Sequence, residues 1–360
     1  MGLEEFKNSF EKQKVREVPN DVCSNPLVSI IVPTYMHEPF IARCLDSLVT
    51  QNVDFEFEIL VGEDESSDAT RQICQEFAQR YPTRIRLFLH HRENNIQLAG
   101  KPSGRFAFVY SLYEARGRYL AFCEGDDFWL DPNKLATQVK VLEENPSLTL
   151  CLTPFRVLKN NRLEPLSSGA FPEGIVTLED FLLCKFQFRI VTALLRRDTL
   201  PIDFPEWFLL EAPAGDNYLA LWALSNGDAI YRKEPMAAYR VEGQGTWSNQ
   251  TNSASWNRII KARGLYQHIL YPRQSKSEAA LNLGTEICRF RYACVLQHER
   301  RFEEARSVRI ALSQISSLIS PVQQLLYRIG LFSDRLHITS LWLINRLRSI
   351  IQNLKLLRNP

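Results

Sequence analysis

The sequence contains no run of about 18 apolar residues, the length a bilayer-crossing helix needs, so no membrane span is expected. Its opening stretch, MGLEEFKNSFEKQKVREVPN, is charged throughout and lacks the apolar segment of a secretory signal. No Cys-x-x-Cys pair occurs among the eight cysteines, which are scattered and mostly flanked by apolar residues. That usage points to reduced core thiols and an intracellular, cytoplasmic setting. A large charge of one sign is missing too: the formal net charge of +2 gives no global case for a nucleic-acid partner. No basic glycine-rich loop stands near the first strand to cradle a triphosphate; VPTYMHEP offers a carboxylate instead, which disfavours nucleotidyl transfer. What remains is a globular composition, 45% hydrophobic and 23% charged over 360 residues, enough for at least one sizeable core and up to two domains.

Strands and helices alternate through the first half. LVSIIVPTY (27–35) is a β-branched run ended by Pro33, and PFIARCLDSLVTQ (39–51) follows with helical spacing of apolar residues. FEFEILVGED (55–64) leads into SDATRQICQEFAQRYP (67–82), where Ser67 or Asp68 suits the N-cap. A third strand is expected at 85–90, a helix at 104–116 and a fourth strand at 118–125. Such alternation predicts a parallel sheet covered on both faces, with ligands at the carboxyl ends of its strands. Further on, a helix is expected at 133–145, strands at 148–158, 189–197 and 228–233, and a helix at 215–227. The polar run SNQTNSASWN (248–257) marks a boundary, beyond which the sequence reads as almost wholly helical. The division is therefore an N-terminal extension (1–26), an α/β domain (27–250) and a C-terminal helical region (251–360) that offers a packing or homo-oligomer surface.

FCEGDDFW (122–129) places Glu124, Asp126 and Asp127 at the end of an apolar strand. Carboxylates crowded there repel one another and lose solvation, so something must compensate them. A divalent cation such as Mg2+ or Mn2+ would, since these hard ions take few protein carboxylates and complete their shells with water and phosphates. The other reading is a solvated turn in which Asp127 caps the next helix.

The three segments VSIIVPTYMHEPFIARCLDSLVTQ, ILVGEDESSDAT and ARGRYLAFCEGDDFWLDPNKLATQV together resemble the nucleotide-sugar-binding half of glycosyltransferase family 2. The resemblance is clear over 27–150, weaker to about 250 and absent beyond. It implies the GT-A fold, a Rossmann-like mixed sheet flanked by helices, and an inverting transfer from a UDP-sugar or other nucleotide-sugar donor. It places Pro33, Thr34, Tyr35 and Glu38 beside the nucleotide and Asp64 on the uracil edge. The family's Asp-x-Asp falls on Glu124-Gly125-Asp126, with Asp126 the direct metal ligand, Glu124 nearer the sugar or ribose, and Gly125 allowing close backbone approach.

The family's catalytic base stands at the start of a helix in the second half of the fold. APAGDNYLALWALSNG (212–227) matches, which makes Asp216 the candidate base, against the plainer reading of an N-cap, and Glu211 its alternate. Where many members carry a histidine reaching the metal or diphosphate, this sequence has Glu242, which can bind metal; charge on the diphosphate would then come from the metal or from Arg240 or Lys101. Trp247 suits stacking on an acceptor sugar, or packing, and His90 and His91 read as surface residues. HITSLWLINRLRSIIQNLKLLRNP (337–360) carries Arg346, Arg348, Lys355 and Arg358 and no acid. As a basic amphipathic helix it suits either peripheral contact with the inner membrane face, and so a lipid-linked saccharide acceptor, or docking on the preceding helices. The implied role is surface polysaccharide or glycan synthesis. The second reading, resting on the altered Asp-x-Asp and the missing histidine, is a nucleotide-sugar-binding or assembly protein without turnover.

Overall fold

The computed structural model describes residues 1–98, 100–166, 172–186, 188–213, 215–241, 252–270, 275–299, 301, 304–305 and 307–308. The chain divides into two compact units, Met1–Gln250 with Leu265–Arg273, and Thr251–Gly264 with Gln274–Pro360.

Among the described residues, the first unit is built on a nine-stranded mixed sheet. At its centre Val28–Thr34 lies parallel between Phe57–Glu63 and Tyr119–Phe122, with Ile85–Leu89 parallel beyond Phe57–Glu63. These strands are buried without alternation because helices cover both faces, the pattern of a buried parallel sheet. The connecting helix Ile41–Val49 turns Ile41, Cys44, Leu45 and Leu48 into the core at helical spacing. Burial of each of the Ile and Leu side chains stabilises the fold by about 1.5–3 kcal/mol. Thr70–Arg80 and Arg105–Glu114 are the next two connections, as the periodicity predicts. Asp68 Oδ1 accepts from Thr70 N–H at 3.0 Å at the start of the first of them.

Past Tyr119–Phe122 the sheet changes direction. Leu194–Arg196 runs antiparallel to both Tyr119–Phe122 and Leu148–Leu152, which in turn pairs parallel with Asp228–Tyr231, and Gly174–Val176 closes that edge antiparallel. The sheet is therefore mixed rather than parallel throughout. Two expected strands differ. The stretch 148–158 is two strands in two sheets, Leu148–Leu152 in the large one and Phe155–Lys159 in a smaller one with Arg162–Leu163, Ala237–Arg240 and Phe128–Trp129. The break falls at Pro154, which has no N–H to extend a ladder. The stretch 189–197 opens as a 3-10 turn, Ile190–Thr192, and only Leu194–Arg196 is extended.

Residues 1–26 are packed into this unit. Phe6, on helix Leu3–Phe10, stacks on Phe106 with ring centroids 5.1 Å apart, and Arg16–Glu17 adds an antiparallel edge to Ile85–Leu89. Glu17 helps enclose Arg86, whose side chain is 1% exposed. Arg86 Nε donates to Glu17 Oε1 at 2.8 Å, Nη1 to Glu58 Oε2 at 3.3 Å and Nη2 to Glu114 Oε2 at 3.2 Å. A guanidinium inside a sheet face is tolerable only with carboxylates on several sides.

In the second unit helix Asn252–Leu265 carries Arg263, whose Nε donates to Thr285 Oγ1 at 3.1 Å and Nη2 to Leu281 O at 3.2 Å, both on helix Ser275–His298. No helix among the described residues is long and apolar enough to cross a membrane. The segment 337–360 lies outside the described residues. Among the described residues seven cysteines stand outside any disulfide, five of them buried.

Candidate active site

The carboxyl ends of the four parallel strands lie along one edge of the sheet, the edge where open α/β sheets gather ligands. The end of Val28–Thr34 organises both neighbours. Pro33 O accepts from Gly125 N–H and Thr34 O from Asp64 N–H, each at 3.1 Å. Two loops carrying acidic groups are thus fastened to one strand.

The acidic turn follows Tyr119–Phe122. Asp127 N–H donates back to Glu124 O at 2.9 Å, closing the turn. Gly125 sits against the first strand so closely that a Cβ would press into Thr34 Oγ1 and lie 2.7 Å from His37 Nδ1 and 2.8 Å from Thr34 Cβ. Close approach, not an unusual φ, is why glycine stands here. Glu124, Asp126 and Asp127 each offer an oxygen, all within 4.8 Å of one another. Asp126 is 8% exposed and Asp127 2%. Burial, then the neighbouring Asp126 and Asp216, raises Glu124 to about 8; burial, then Asp126 and Glu124, raises Asp127 well above the usual carboxylate range. Asp127 does not cap a helix. Its Oδ1 accepts from the Arg240 backbone N–H at 2.8 Å, while Arg240 Nε donates to Asp126 O at 2.9 Å and its guanidinium lies 4.1 Å from the Phe40 ring. Arg240 therefore braces the turn through its backbone. Hard oxygen donors, crowded and desolvated, fit a small divalent cation, with Asp126 and Glu124 the freer ligands.

Just past the end of Phe57–Glu63, Asp64 Oδ2 accepts from Arg92 Nη1 at 2.7 Å and from Asn95 Nδ2 at 3.1 Å. Asp64 Oδ1 and Asn95 Oδ1 are buried with no hydrogen-bond partner among the described residues. Burial raises Asp64 to about 6 against the pull of Arg92 and Asn95. Arg92 in turn stacks 3.9 Å from the Tyr35 ring, so Tyr35, Arg92 and Asp64 form one layer. Glu63 is used internally, accepting from Arg71 and, at 2.7 Å, from Ser66 N–H. Glu38 is exposed and directed to the next helix start, accepting from Ala69 N–H at 3.1 Å. Lys101 lies in a two-residue strand, Lys101–Pro102, and its side chain is outside the described part. His90 corrects the surface reading: it is 0% exposed, edge-on to Phe106 and Tyr110, and burial lowers its pKa to about 3, so it is a neutral packing residue. His37 pairs through Nδ1 with Thr34 Oγ1 at 3.2 Å, and burial lowers its pKa despite the nearby Asp126.

Asp216 stands in the first turn of helix Gly215–Asn226, its Oδ1 accepting from Asn217 N–H at 2.9 Å. Burial raises its pKa; the Asn217 N–H, Arg189 and Arg105 oppose the rise. Asp216 and Glu124 interact electrostatically, which ties the helix start to the acidic turn. Glu211 ends the short helix Glu206–Leu210 and is exposed. Glu242 and Trp247 lie outside the described residues. Sequence reasoning passed over Arg92, Asn95, Arg105 and Arg189. For the first pair the signal was available, since HRENN directly follows the third parallel strand. Arg189 carries none: its guanidinium lies 4.8 Å from the Tyr239 ring and offsets both Glu124 and Asp216, a placement made by the 3-10 turn that follows it.

Two unsatisfied acceptors beside a stacked cation, a carboxylate turn suited to a cation, and a carboxylate at a helix start can bind a nucleotide, hold its phosphates through a metal and accept a proton. Residues 29–200 match the sequence profile of glycosyl transferase family 2. An uncharacterised protein of Mycobacterium tuberculosis is 34% identical over 225 residues, covering 61% of this chain and 60% of that protein. The chain thus spans about three-fifths of the length of these mycobacterial relatives. The UDP-Glc:alpha-D-GlcNAc-diphosphoundecaprenol beta-1,3-glucosyltransferase WfgD of Escherichia coli is 32% identical over 180 residues, 50% of this chain and 64% of WfgD. Among solved structures, Staphylococcus aureus TarS 1-349 in complex with UDP-GlcNAc superposes with a TM-score of 0.54 at 18% identity, covering 87% of this chain and 90% of that one, a likeness of fold. The matched profile runs from the first parallel strand through the acidic turn to the reversed strand, and it is this segment, just under half of the chain, that is similar to glycosyl transferase family 2.

Proposed function

We propose that the chain is an inverting, metal-dependent glycosyltransferase that moves a sugar from a UDP-sugar to a saccharide or lipid-linked acceptor, in surface polysaccharide or glycan synthesis. The observation that carries this reading is the carboxylate turn, three acids within 4.8 Å at the carboxyl end of the strand beside the first one, electrostatically joined to Asp216. Asp126 and Glu124 would hold Mn2+ or Mg2+, which would supply positive charge to the departing diphosphate. Asp64, through its unpaired Oδ1, accepts the ring N–H of uracil, and the neighbouring Asn95 and Arg92 fix its orientation. Asp216 takes the proton from the acceptor hydroxyl as that oxygen bonds to the anomeric carbon. The bond from that carbon to the phosphate oxygen breaks on the opposite face, inverting the centre.

The test is a panel of UDP-, GDP- and ADP-sugars incubated with the protein and Mn2+, followed for nucleoside diphosphate release with and without chelator. The reading expects release from a UDP-sugar that stops with chelator and falls by roughly 10²–10⁴ in Asp216→Asn, the usual contribution of a positioned base. Binding of UDP-sugars with no release by the wild type would instead favour a binding protein. Equal preference for GDP and UDP would remove Asp64 from the uracil edge.

A further inference from the structure

Arg105 is a cation with no role in the reaction just described. It opens helix Arg105–Glu114, is 6% exposed, and its guanidinium lies 4.9 Å from the Phe208 ring. Its Nη2 donates to Ala212 O, at the entrance to the segment that leads into helix Gly215–Asn226. Its Nη1 has no acceptor among the described residues and fills the space that a side chain on Gly215 would need, 2.5 Å from the position of a Cβ there; Phe108 Cε1 closes the other side at 3.4 Å. The next residue is Asp216.

We propose that Arg105 is a positioning residue: its fork grips the Ala212 carbonyl and the bare face of Gly215, and so fixes where the helix start presents Asp216. The proposal rests on Asp216 being the base. Burying a guanidinium is costly unless its geometry is used, and a methionine or leucine would pack against Phe208 at lower cost. A planar fork can engage the carbonyl and the glycine face together, which the point charge of a lysine cannot. Gly215 then has a specific reason to be glycine. An arginine end is usually free to move aside, but this one is held by the Ala212 bond and the Phe208 ring, so an added methyl would displace the turn.

The experiment compares Arg105→Met, Gly215→Ala and the double variant in the full chain, by two readouts. Amide exchange at Asn217, whose N–H is held by Asp216, reports the helix start directly. Turnover of UDP-glucose and UDP-N-acetylglucosamine with Mn2+, alongside UDP affinity, reports the consequence. Arg105→Met and Gly215→Ala should each speed Asn217 exchange at least about tenfold and lower kcat by roughly 10–100-fold, the cost of a misplacement of about 1 Å. UDP affinity should stay within about twofold, because the nucleotide side shares none of these contacts. The second substitution should add little once the first is present, since methionine vacates the space the alanine methyl takes. Unchanged exchange and kcat in Arg105→Met, or fully additive effects in the double variant, would overturn the proposal, as would loss of UDP affinity in step with kcat. The exchange readout decides even where turnover is too slow to follow. If instead Asp216→Asn keeps full turnover, it is the base assignment that fails.

Discussion

Replacing Gly125 by alanine tests the acidic turn at its tightest point. The new methyl would press into Thr34 Oγ1, 2.7 Å from His37 Nδ1 and 2.8 Å from Thr34 Cβ. None of these neighbours can yield cheaply. Thr34 is in the central strand with its carbonyl engaged by Asp64 N–H, and His37 N–H donates to Thr70 Oγ1 at 2.8 Å. The turn must move instead, and overpacking of this kind costs about 1–3 kcal/mol. For a folding unit of this size each kcal/mol lowers Tm by about 2–4 °C, so a fall of about 2–12 °C is expected by scanning fluorimetry. The effect on function should be larger, since the same movement displaces Asp126: Mn2+-dependent stabilisation by UDP should be lost although the variant folds. Gly104→Ala is the control, because nothing lies within 4 Å of its Cβ position, and it should change stability by no more than about 0.5 kcal/mol. A Gly125→Ala protein that melts with the wild type and keeps the Mn2+/UDP response would show that the turn is not pressed against Thr34 and His37.

Asp126→Asn should abolish Mn2+-dependent UDP binding in calorimetry while leaving the metal-free protein at least as stable, because one charge leaves a crowded acidic turn; unchanged binding would remove Asp126 from the site. Asp64 has a folded-state pKa of about 6 against an ordinary 3.8, so the folded protein holds its proton more readily than the unfolded chain. Its contribution to the stability of the ligand-free protein is therefore complete below about pH 4 and is lost as pH rises through 6, and Asp64→Asn should remove that slope from a series of denaturant midpoints. UDP affinity should run the other way, weakening below pH 6 as the acceptor oxygen becomes protonated; affinity unchanged down to pH 5 would refute the assignment. Glu58→Ala strips a buried partner from Arg86 and should cost about 3 kcal/mol by urea titration, the low end for a broken buried pair because Glu17 and Glu114 remain.

The parallel core and its helices were legible because buried strands and amphipathic helices write themselves as uninterrupted and 3.6-periodic apolar patterns. Val28–Thr34, Phe57–Glu63 and the helix Ile41–Val49 fall where those patterns place them. The reversed strand Leu194–Arg196 was not legible as a three-residue element, since only pairing with two distant strands makes it one. The acidic turn was visible as a charge cluster on an apolar run. Its brace was not: Asp127 is held by the backbone of Arg240, 113 residues away, and nothing local signals that. His90 misled for a related reason, as histidine after a strand reads as exposed until the aromatic helix face that encloses it is known.

Acids cluster at both ends of the same sheet, and they are partnered differently. At the amino end of Phe57–Glu63, Glu58 is 0% exposed, and it meets Arg86 at 3.3 Å, Ser29 Oγ at 2.6 Å and Arg116 N–H at 2.7 Å. Its charge is answered within the fold, and it has nothing left to offer a ligand. At the carboxyl ends, Glu124, Asp126 and Asp216 have no ion pair among the described residues, although Arg189, Arg105 and Arg240 are all near enough to act on them electrostatically. Among the described residues the guanidinium groups of those arginines donate to carbonyls, of Phe188, Ala212 and Asp126, instead of to the carboxylates. A fold selected for stability alone would let such groups pair, because crowded, desolvated carboxylates repel one another and destabilise the folded state. On the proposed reading, keeping cations close but turned to the backbone leaves the carboxylates open for a metal and a proton. The distinction predicts opposite responses to neutralisation: amide substitutions at the amino-end cluster lower stability, whereas those at the carboxyl-end cluster spare or raise it and remove binding. A destabilised Asp126→Asn protein, with a stable Glu58→Gln one, would reverse the assignment of the two clusters.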